Sequence, residues 1–184
     1  MKTLLIDHDD SFTFNLRDWL RPLCADVEVL NHRDLASAPK ADLVVLSPGP
    51  HNPQTYPHVL EYVQTLPNEV FVYGVCLGLQ MMVTIEGGKI ETYSPPLHGK
   101  KSRLNMNSED YKNLHQAQVA RYHSLKCSQI PSGFELIATA DDDHTPMWLR
   151  HKQKKWMGVQ FHPESFLTEH AVLHQKALAN WVKN

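Results

Sequence analysis

Residues 71–82 have the sequence FVYGVCLGLQMM, which runs from Phe71 to Met82. The first five residues are mostly β-branched or aromatic, a composition typical of a buried strand. Leu79, Met82 and Val83 then recur at helical spacing and predict the apolar face of a helix. The stretch therefore predicts a buried strand followed at once by a helix, which is the repeating unit of an α/β sheet.

The turn between these two elements has the pattern G-x-C-x-G, with Cys76 between Gly74 and Gly78. In the analogous G-x-S-x-G elbow, a sharp strand-to-helix turn exposes a nucleophile, and the glycines let neighbouring elements approach closely. The helix N-terminus favours a thiolate and later an oxyanion, although a free thiol at neutral pH still needs a base. The pattern predicts that Cys76 is a nucleophile; a buried structural cysteine between packing glycines is the alternative.

The preceding chain continues this alternation of strands and helices. Strands are predicted at residues 3–6, 27–30 and 43–46, and helices at residues 11–20 and around 59–63. Such alternation predicts a doubly wound, mostly parallel sheet, which binds ligands at the carboxyl ends of its strands. Both the turn Ser47-Pro48-Gly49-Pro50 and Cys76 fall at this edge of the predicted sheet.

The second half of the chain has shorter elements. Strands are predicted near residues 89–93, 119–122, 136–138, 147–149 and 156–161, and a closing helix at residues 171–182. Residues 100–115 are polar and weakly patterned, which favours a surface loop or short helix. We expect the first four of these strands, at residues 89–93, 119–122, 136–138 and 147–149, to form a small, partly antiparallel additional sheet, within a single domain that spans residues 1–184.

Composition excludes several classes of partner. The 184 residues carry a formal net charge of −2, which argues against nucleic acid or an anionic membrane surface as a partner. No apolar run approaches the roughly 20 residues that span a bilayer. The N-terminus lacks the pattern of a signal peptide, and the three cysteines suggest no disulfide framework. These features predict a cytoplasmic protein.

A second chemical motif follows the last predicted strand, where His162-Pro163-Glu164 succeeds Phe161. Proline biases His162 toward an extended conformation, in which residues two apart point to the same side. His162 could then act as a base whose tautomer is fixed by Glu164. Two alternatives remain: both side chains cap a turn, or they form a metal pair, for which no third ligand stands at a recognisable spacing.

Taken in order, six segments of the chain resemble the class I (triad-type) glutamine amidotransferases, specifically the small subunits of anthranilate synthase and aminodeoxychorismate synthase. The resemblance covers essentially the whole chain. It rests on residues 5–16, 47–50, 74–80, 98–100, 121–125 and 158–165. It implies a flavodoxin-like fold, no cofactor and no metal.

The resemblance also implies a reaction, the hydrolysis of glutamine to glutamate and ammonia. Cys76 would attack the side-chain amide to give a thioester, His162 would transfer protons, and Glu164 would orient His162. The backbone N–H groups of Gly49 and Leu77 would form the oxyanion hole.

Glutamine would be held by a further set of residues that the resemblance assigns. Gln80 also stands one helical turn from Cys76, which places both on one helix face, although a solvent-facing Gln80 is the alternative. The complete predicted set of glutamine contacts is Pro48, Gly49, Pro50, Gln80, Ser124 and Leu125. In relatives, a larger chorismate-using synthase subunit receives the ammonia, so we expect a separate partner of this type.

Two other functions stay open at this point: a binding or regulatory protein that keeps the fold, and a γ-glutamyl hydrolase. The chain also departs from the family pattern. His51 replaces the second glycine of the usual Ser-Pro-Gly-Pro-Gly turn, where a side chain could narrow the pocket or demand another backbone angle. His8 and Asp9 differ from the commoner residues of a loop that faces the partner in relatives, and we expect them to form a partner-specific surface.

Overall fold

The computed structural model describes residues 1–24 and 26–183, which form two sheets flanked by helices. The strands are β1 Lys2–Asp7, β2 Asp26–Asn31, β3 Leu43–Leu46, β4 Phe71–Val75, β5 Lys89–Thr92, β6 Lys100–Met106, β7 Gln118–Arg121, β8 Leu125–Gln129, β9 Phe134–Ala140, β10 Pro146–His151 and β11 Trp156–Val159. The helices are α1 Thr13–Leu20, α2 Pro57–Thr65, α3 Leu77–Ile85 and α4 Ala171–Trp181.

The main sheet has nine strands in the order β2-β1-β3-β4-β11-β10-β9-β6-β7. The first five strands of this order run parallel, and the remaining strands continue the sheet by antiparallel pairing. Strands β5 and β8 form a separate antiparallel pair. The predicted fold class, a doubly wound and mostly parallel α/β sheet with a small additional antiparallel sheet, is confirmed.

Two details of the second half differ from expectation. Strands β7, β9 and β10 extend the main sheet and do not build a second layer. The reason is that β10 pairs with β11, β9 pairs with β10, β6 pairs with β9, and β7 pairs with β6. Residues 100–106 form strand β6 where a loop or helix was expected. The polar sequence of β6 fits a strand because both its neighbours pair with it, while only Ser102 and Leu104 are buried.

Alternate residues of the central strands face two separate core layers. Leu5 and Val45 pack on one face with helices α1 and α4, whereas Leu4 and Val44 pack on the other with α2 and α3. The central strands are therefore covered on both sides, as a buried parallel sheet requires. This arrangement holds the carboxyl end of β4, and with it Cys76, at the middle of the sheet edge.

Within residues 1–24 and 26–183, burial lowers the pKa of three histidines most strongly. Burial lowers the pKa of His8 to about 3, and burial likewise lowers the pKa values of His123 and His174 to about 4 each, from an ordinary value of 6.5. Because the unfolded chain binds protons at these sites more readily than the folded chain, acidification below the ordinary value favours unfolding.

We therefore expect the free energy of unfolding to fall by about 3 kcal/mol between pH 7 and pH 5.5. His162, whose pKa is raised in the folded protein, offsets part of the loss because its charged form stabilises the fold as the pH falls. Urea unfolding at the two pH values measures the difference. In a His8→Asn variant, the free energy of unfolding should fall by about a third less between the two pH values. Equal stability of the wild-type protein at both pH values would contradict the assignment of these histidines as neutral in the folded state.

Candidate active site

Cys76 occupies a sharp turn between β4 and α3. Its backbone has φ +53° and ψ −101°, a conformation that residues with a side chain rarely adopt and that marks functional turns. The adjoining glycines are required by close contacts. A Cβ on Gly74 would lie 2.4 Å from the carbonyl carbon of Gly78, and one on Gly78 would lie 2.4 Å from the carbonyl oxygen of Leu46. The predicted elbow therefore has the geometry that its pattern indicates.

His162 and Glu164 form a buried pair beside this elbow. The imidazole Nδ1 lies 2.7 Å from Glu164 Oε1 and donates to it, which directs Nε2 away from the carboxylate. Burial lowers the pKa of His162, but the Glu164 carboxylate and the Cys76 thiol outweigh it and raise that pKa well above its ordinary value. Within the described part of the chain, Nε2 has no hydrogen-bond partner. Because the Cys76 thiol and the Glu164 carboxylate both act on the imidazole, the three side chains lie together in one buried site.

Two aromatic rings fix the orientation of the imidazole. Phe12 and Tyr122 contact the His162 ring edge-on at centroid distances of 5.3 and 5.0 Å, and the Tyr122 hydroxyl lies 3.1 Å from Ser165 Oγ. Sequence reasoning assigned neither ring a role. Both residues lie in segments that resemble the amidotransferase family, and this was the only sequence feature that pointed to a role for them.

The turn after β3 lies directly against the elbow. A Cβ on Gly49 would lie 2.7 Å from Leu77 Cδ2 and 2.6 Å from His8 Cβ, so only glycine fits between them. The structure therefore places Gly49 against Leu77, and their backbone role as an oxyanion hole stays a prediction. Pro48 and Pro50 flank Gly49 in the same turn.

His8 supports that turn from inside the protein. It is fully buried, its backbone N–H donates to Ser47 Oγ at 3.0 Å, and its Nδ1 lies 3.2 Å from the Ser47 carbonyl oxygen. The expectation that His8 belongs to a partner surface is wrong, because its position at the end of β1 turns the ring inward beneath the Ser47 turn. Asp9 is solvent-accessible and pairs with Arg33 and Asn31.

A pocket of about 150 Å³ adjoins Cys76. It is lined by Gly49, Pro50, His51, Cys76, Leu77, Gln80, Tyr122, His123, Ser124 and Leu125. All of the predicted glutamine contacts except Pro48 therefore line one cavity with the thiol.

The structure shows the orientation of Gln80 and the backbone conformation of His51, two features that the sequence did not determine. Gln80 is 2% exposed, which excludes a solvent-facing side chain, and its amide donates to the Leu125 carbonyl at 3.2 Å. His51 keeps a left-handed backbone, φ +70°, and its exposed side chain lines the pocket mouth. The turn therefore retains the backbone angle that glycine adopts freely, with a side chain added.

Gln160 also belongs to the site, although sequence reasoning gave it no role. It is fully buried, and its amide nitrogen lies 3.4 Å from Cys76 Sγ. The sequence does place an amide side chain near the end of the apolar run before His162. Because a buried polar group needs a hydrogen-bond partner, this position could have indicated a contact within the site.

No group of three or more potential metal ligands is found in residues 1–24 and 26–183. In that part of the chain, no helix has the length and apolar character needed to cross a membrane.

Comparison with known proteins identifies the family. The model of the class I glutamine amidotransferases matches residues 4–180. The chain belongs to the class I glutamine amidotransferase family.

Two curated relatives are similar in sequence to this amidotransferase over most of its length. One is anthranilate synthase component 2, pyocyanine specific, of Pseudomonas aeruginosa, at 36% identity over 98% of this chain and 92% of that protein. The other is an anthranilate synthase of Azospirillum brasilense, 38% identical over 91% of this chain but only 24% of that longer protein.

A solved structure supports the fold of this amidotransferase. The glutamine amidotransferase of Thermotoga maritima matches with a TM-score of 0.73 and 17% identity, over 100% of this chain and 95% of that one. At this identity the match shows the fold alone.

Proposed function

We propose that this class I glutamine amidotransferase is a glutaminase that supplies ammonia to a chorismate-using synthase. The observation that carries the proposal is the strained elbow of Cys76 beside the buried His162–Glu164 pair, at the wall of a small polar pocket. L-Glutamine is the substrate, and residues 1–184 act as a single amidotransferase domain in the cytoplasm, without nucleic acid or membrane.

The reaction begins with attack of the Cys76 thiolate on the side-chain amide carbon of glutamine. The developing oxyanion is stabilised by the backbone N–H groups of Gly49 and Leu77. His162, protonated by the thiol, delivers that proton to the departing nitrogen, and ammonia leaves as the γ-glutamyl thioester forms. His162 then takes a proton from water, which hydrolyses the thioester to glutamate and restores the thiol. Glu164 holds the imidazole in the required tautomer.

The walls of the pocket supply the contacts for glutamine. Gln80 stands one helical turn beyond Cys76, and the segment of Ser124 and Leu125 at the start of β8 presents backbone groups for the α-amino and α-carboxylate ends. Pro48 and Pro50 hold Gly49 in the turn, so that the side-chain amide is clamped between this turn and α3. These contacts orient the amide carbon toward Sγ.

The ammonia passes to a separate, larger chorismate-using subunit, in a heterodimer or heterotetramer. The names of the relatives support this partner, and the fused Azospirillum protein shows amidotransferase sequence within a longer anthranilate synthase. The product is anthranilate, 4-amino-4-deoxychorismate, or both if one glutaminase serves two synthases.

Affinity isolation of this chain from its native cell tests the proposal. The co-eluting protein is identified, and the eluate is assayed with chorismate and glutamine, separating anthranilate from aminodeoxychorismate. We expect a chorismate-using partner and a glutamine-dependent product. Turnover of γ-glutamyl peptides without turnover of glutamine would favour a γ-glutamyl hydrolase instead, and an inactive eluate would favour a binding protein.

The Glu164→Gln variant tests the orienting role. The amide that replaces the Glu164 carboxylate can either accept from His162 Nδ1 or donate to it, and it carries no charge. It therefore neither fixes the tautomer of His162 nor stabilises the imidazolium. We expect glutamine-dependent kcat to fall by about 10²-fold without disappearing, because the attacking thiol is intact. Thioester formation is measured by rapid quench. Glu169→Gln, which changes an exposed carboxylate that accepts from the Gln118 N–H, serves as the matched control. A wild-type rate in Glu164→Gln would show that this residue does not orient His162.

A further inference from the structure

Gln160 links the nucleophile to the wall of the pocket. Its Nε2 lies 3.4 Å from Cys76 Sγ, and its Oε1 accepts a hydrogen bond of 3.0 Å from Gln80 Nε2. Gln80 Nε2 also donates to the Leu125 carbonyl at 3.2 Å. Both hydrogens of the Gln80 amide therefore have acceptors, and the Gln160 amide lies between Gln80 and the thiol.

The Leu125 carbonyl also accepts a hydrogen bond from His123, which in turn contacts a buried arginine. His123 Nδ1 donates to that carbonyl at 2.8 Å, while Arg121 Nε donates to His123 Nε2 at 3.0 Å. Arg121 is fully buried and pairs with Asp143 at 2.9 Å. These contacts complete a hydrogen-bond chain from Arg121 to Cys76, which we call the Arg121–Cys76 chain.

The donor at each step of this chain is fixed by two groups that have only one role, the Arg121 guanidinium and the Leu125 carbonyl. Because a guanidinium can only donate, His123 Nε2 must accept and Nδ1 must carry the hydrogen. Burial and the nearby Arg121 charge keep the pKa of His123 at about 4, so the ring is neutral. The Leu125 carbonyl can only accept, so Gln80 must present its NH₂ group to it. Gln160 Oε1 then accepts from Gln80, and the Gln160 NH₂ group must face Sγ.

We infer that Gln160 is a further catalytic residue, whose amide N–H hydrogen-bonds the Cys76 thiolate and stabilises it before attack. The inference rests on the proposed function in one respect, the role of Cys76 as nucleophile. A hydrogen bond to a charged group favours its charged form, and the effect is large in a buried site. The same side chain keeps Gln80 directed at the pocket, so the chain couples the substrate wall to the nucleophile.

Alkylation of Cys76 by iodoacetamide tests the inference without glutamine or partner. The rate is measured from pH 5 to pH 10 by mass spectrometry of the peptide that contains Cys76. Gln160→Met keeps an unbranched side chain of similar size but removes the donor. We expect its alkylation profile to move about one pH unit upward, with a rate at pH 7 about tenfold lower than that of the wild-type protein.

A matched control removes a similar hydrogen bond far from the site. Gln175 Nε2 donates to the Trp19 carbonyl at 2.7 Å, so Gln175→Met deletes one glutamine contact and should leave the alkylation profile unchanged. Circular dichroism checks the fold of each variant. If Gln160→Met does not fold, Gln160→Glu replaces it: the carboxylate can still accept from Gln80 but turns an anionic oxygen toward Sγ, and its profile should move upward further.

Coincident profiles for the wild-type protein and the folded Gln160 variant would overturn the inference. The proposed function fails by a different result, the absence of glutamine-dependent product from the wild-type complex. The alkylation profile can be read in either case, so the two failures are distinguishable.

Discussion

Replacement of Cys76 by serine is expected to reduce glutamine-dependent synthesis by at least about 10³-fold, while synthesis from added ammonium salt continues. A serine hydroxyl is a far weaker nucleophile, and the site provides an imidazole whose raised pKa suits a thiolate–imidazolium pair. The proposed partner would use ammonia without this thiol, so we expect added ammonium salt to restore synthesis in the variant. Product formation by the assembled complex is measured with each nitrogen source.

The control for Cys76→Ser is Cys24→Ala. Cys24 is buried beneath α1, away from the pocket, and the variant should keep both glutamine-dependent and ammonia-dependent synthesis. If glutamine-dependent synthesis survives in Cys76→Ser, Cys76 is not the nucleophile. Loss of ammonia-dependent synthesis in that variant would instead indicate a damaged complex.

His162→Gln is expected to reduce glutamine-dependent kcat/KM by about 10³-fold, because the proposed mechanism assigns every proton transfer to this imidazole. The amide has no basic nitrogen for the thiol proton and cannot protonate the leaving ammonia. Alkylation of Cys76 at pH 7 should slow as well, since the charged ring no longer stabilises the thiolate. Both quantities are measured on the same preparation.

His170→Asn is the matched control for His162→Gln. His170 is exposed, and its left-handed backbone, φ +57°, is one that asparagine tolerates. It should retain wild-type activity and alkylation. A His162→Gln enzyme with more than about a tenth of the wild-type kcat/KM would contradict the assignment of His162 as the acid and base.

Much of this fold can be predicted from local patterns. The elbow at residues 74–78 is specified by its own sequence, because Gly74 and Gly78 are required wherever strand, turn and helix meet this closely. The pairing of His162 with Glu164 likewise follows from a short extended segment. Local chemistry determines these features, and the sequence is sufficient to predict them.

Other features depend on contacts between distant segments. Whether the short strands extend the main sheet depends on the pairing of β10 with β11, which no local pattern in β10 specifies. The burial of His8 depends on the Ser47 turn, 39 residues away, and the Gln160 contact depends on Cys76, 84 residues away. Such pairings appear only when the topology places the carboxyl ends of several strands together.

The most direct test of the account is to trap the thioester. The complete complex is mixed with chorismate and isotopically labelled glutamine, quenched in acid during turnover, and digested for peptide mass spectrometry. The proposed mechanism predicts a labelled γ-glutamyl group on the peptide that contains Cys76 and none on the peptides of Cys24 and Cys127. A complex that makes glutamine-dependent product with no label on Cys76, or with label on another cysteine, would contradict it.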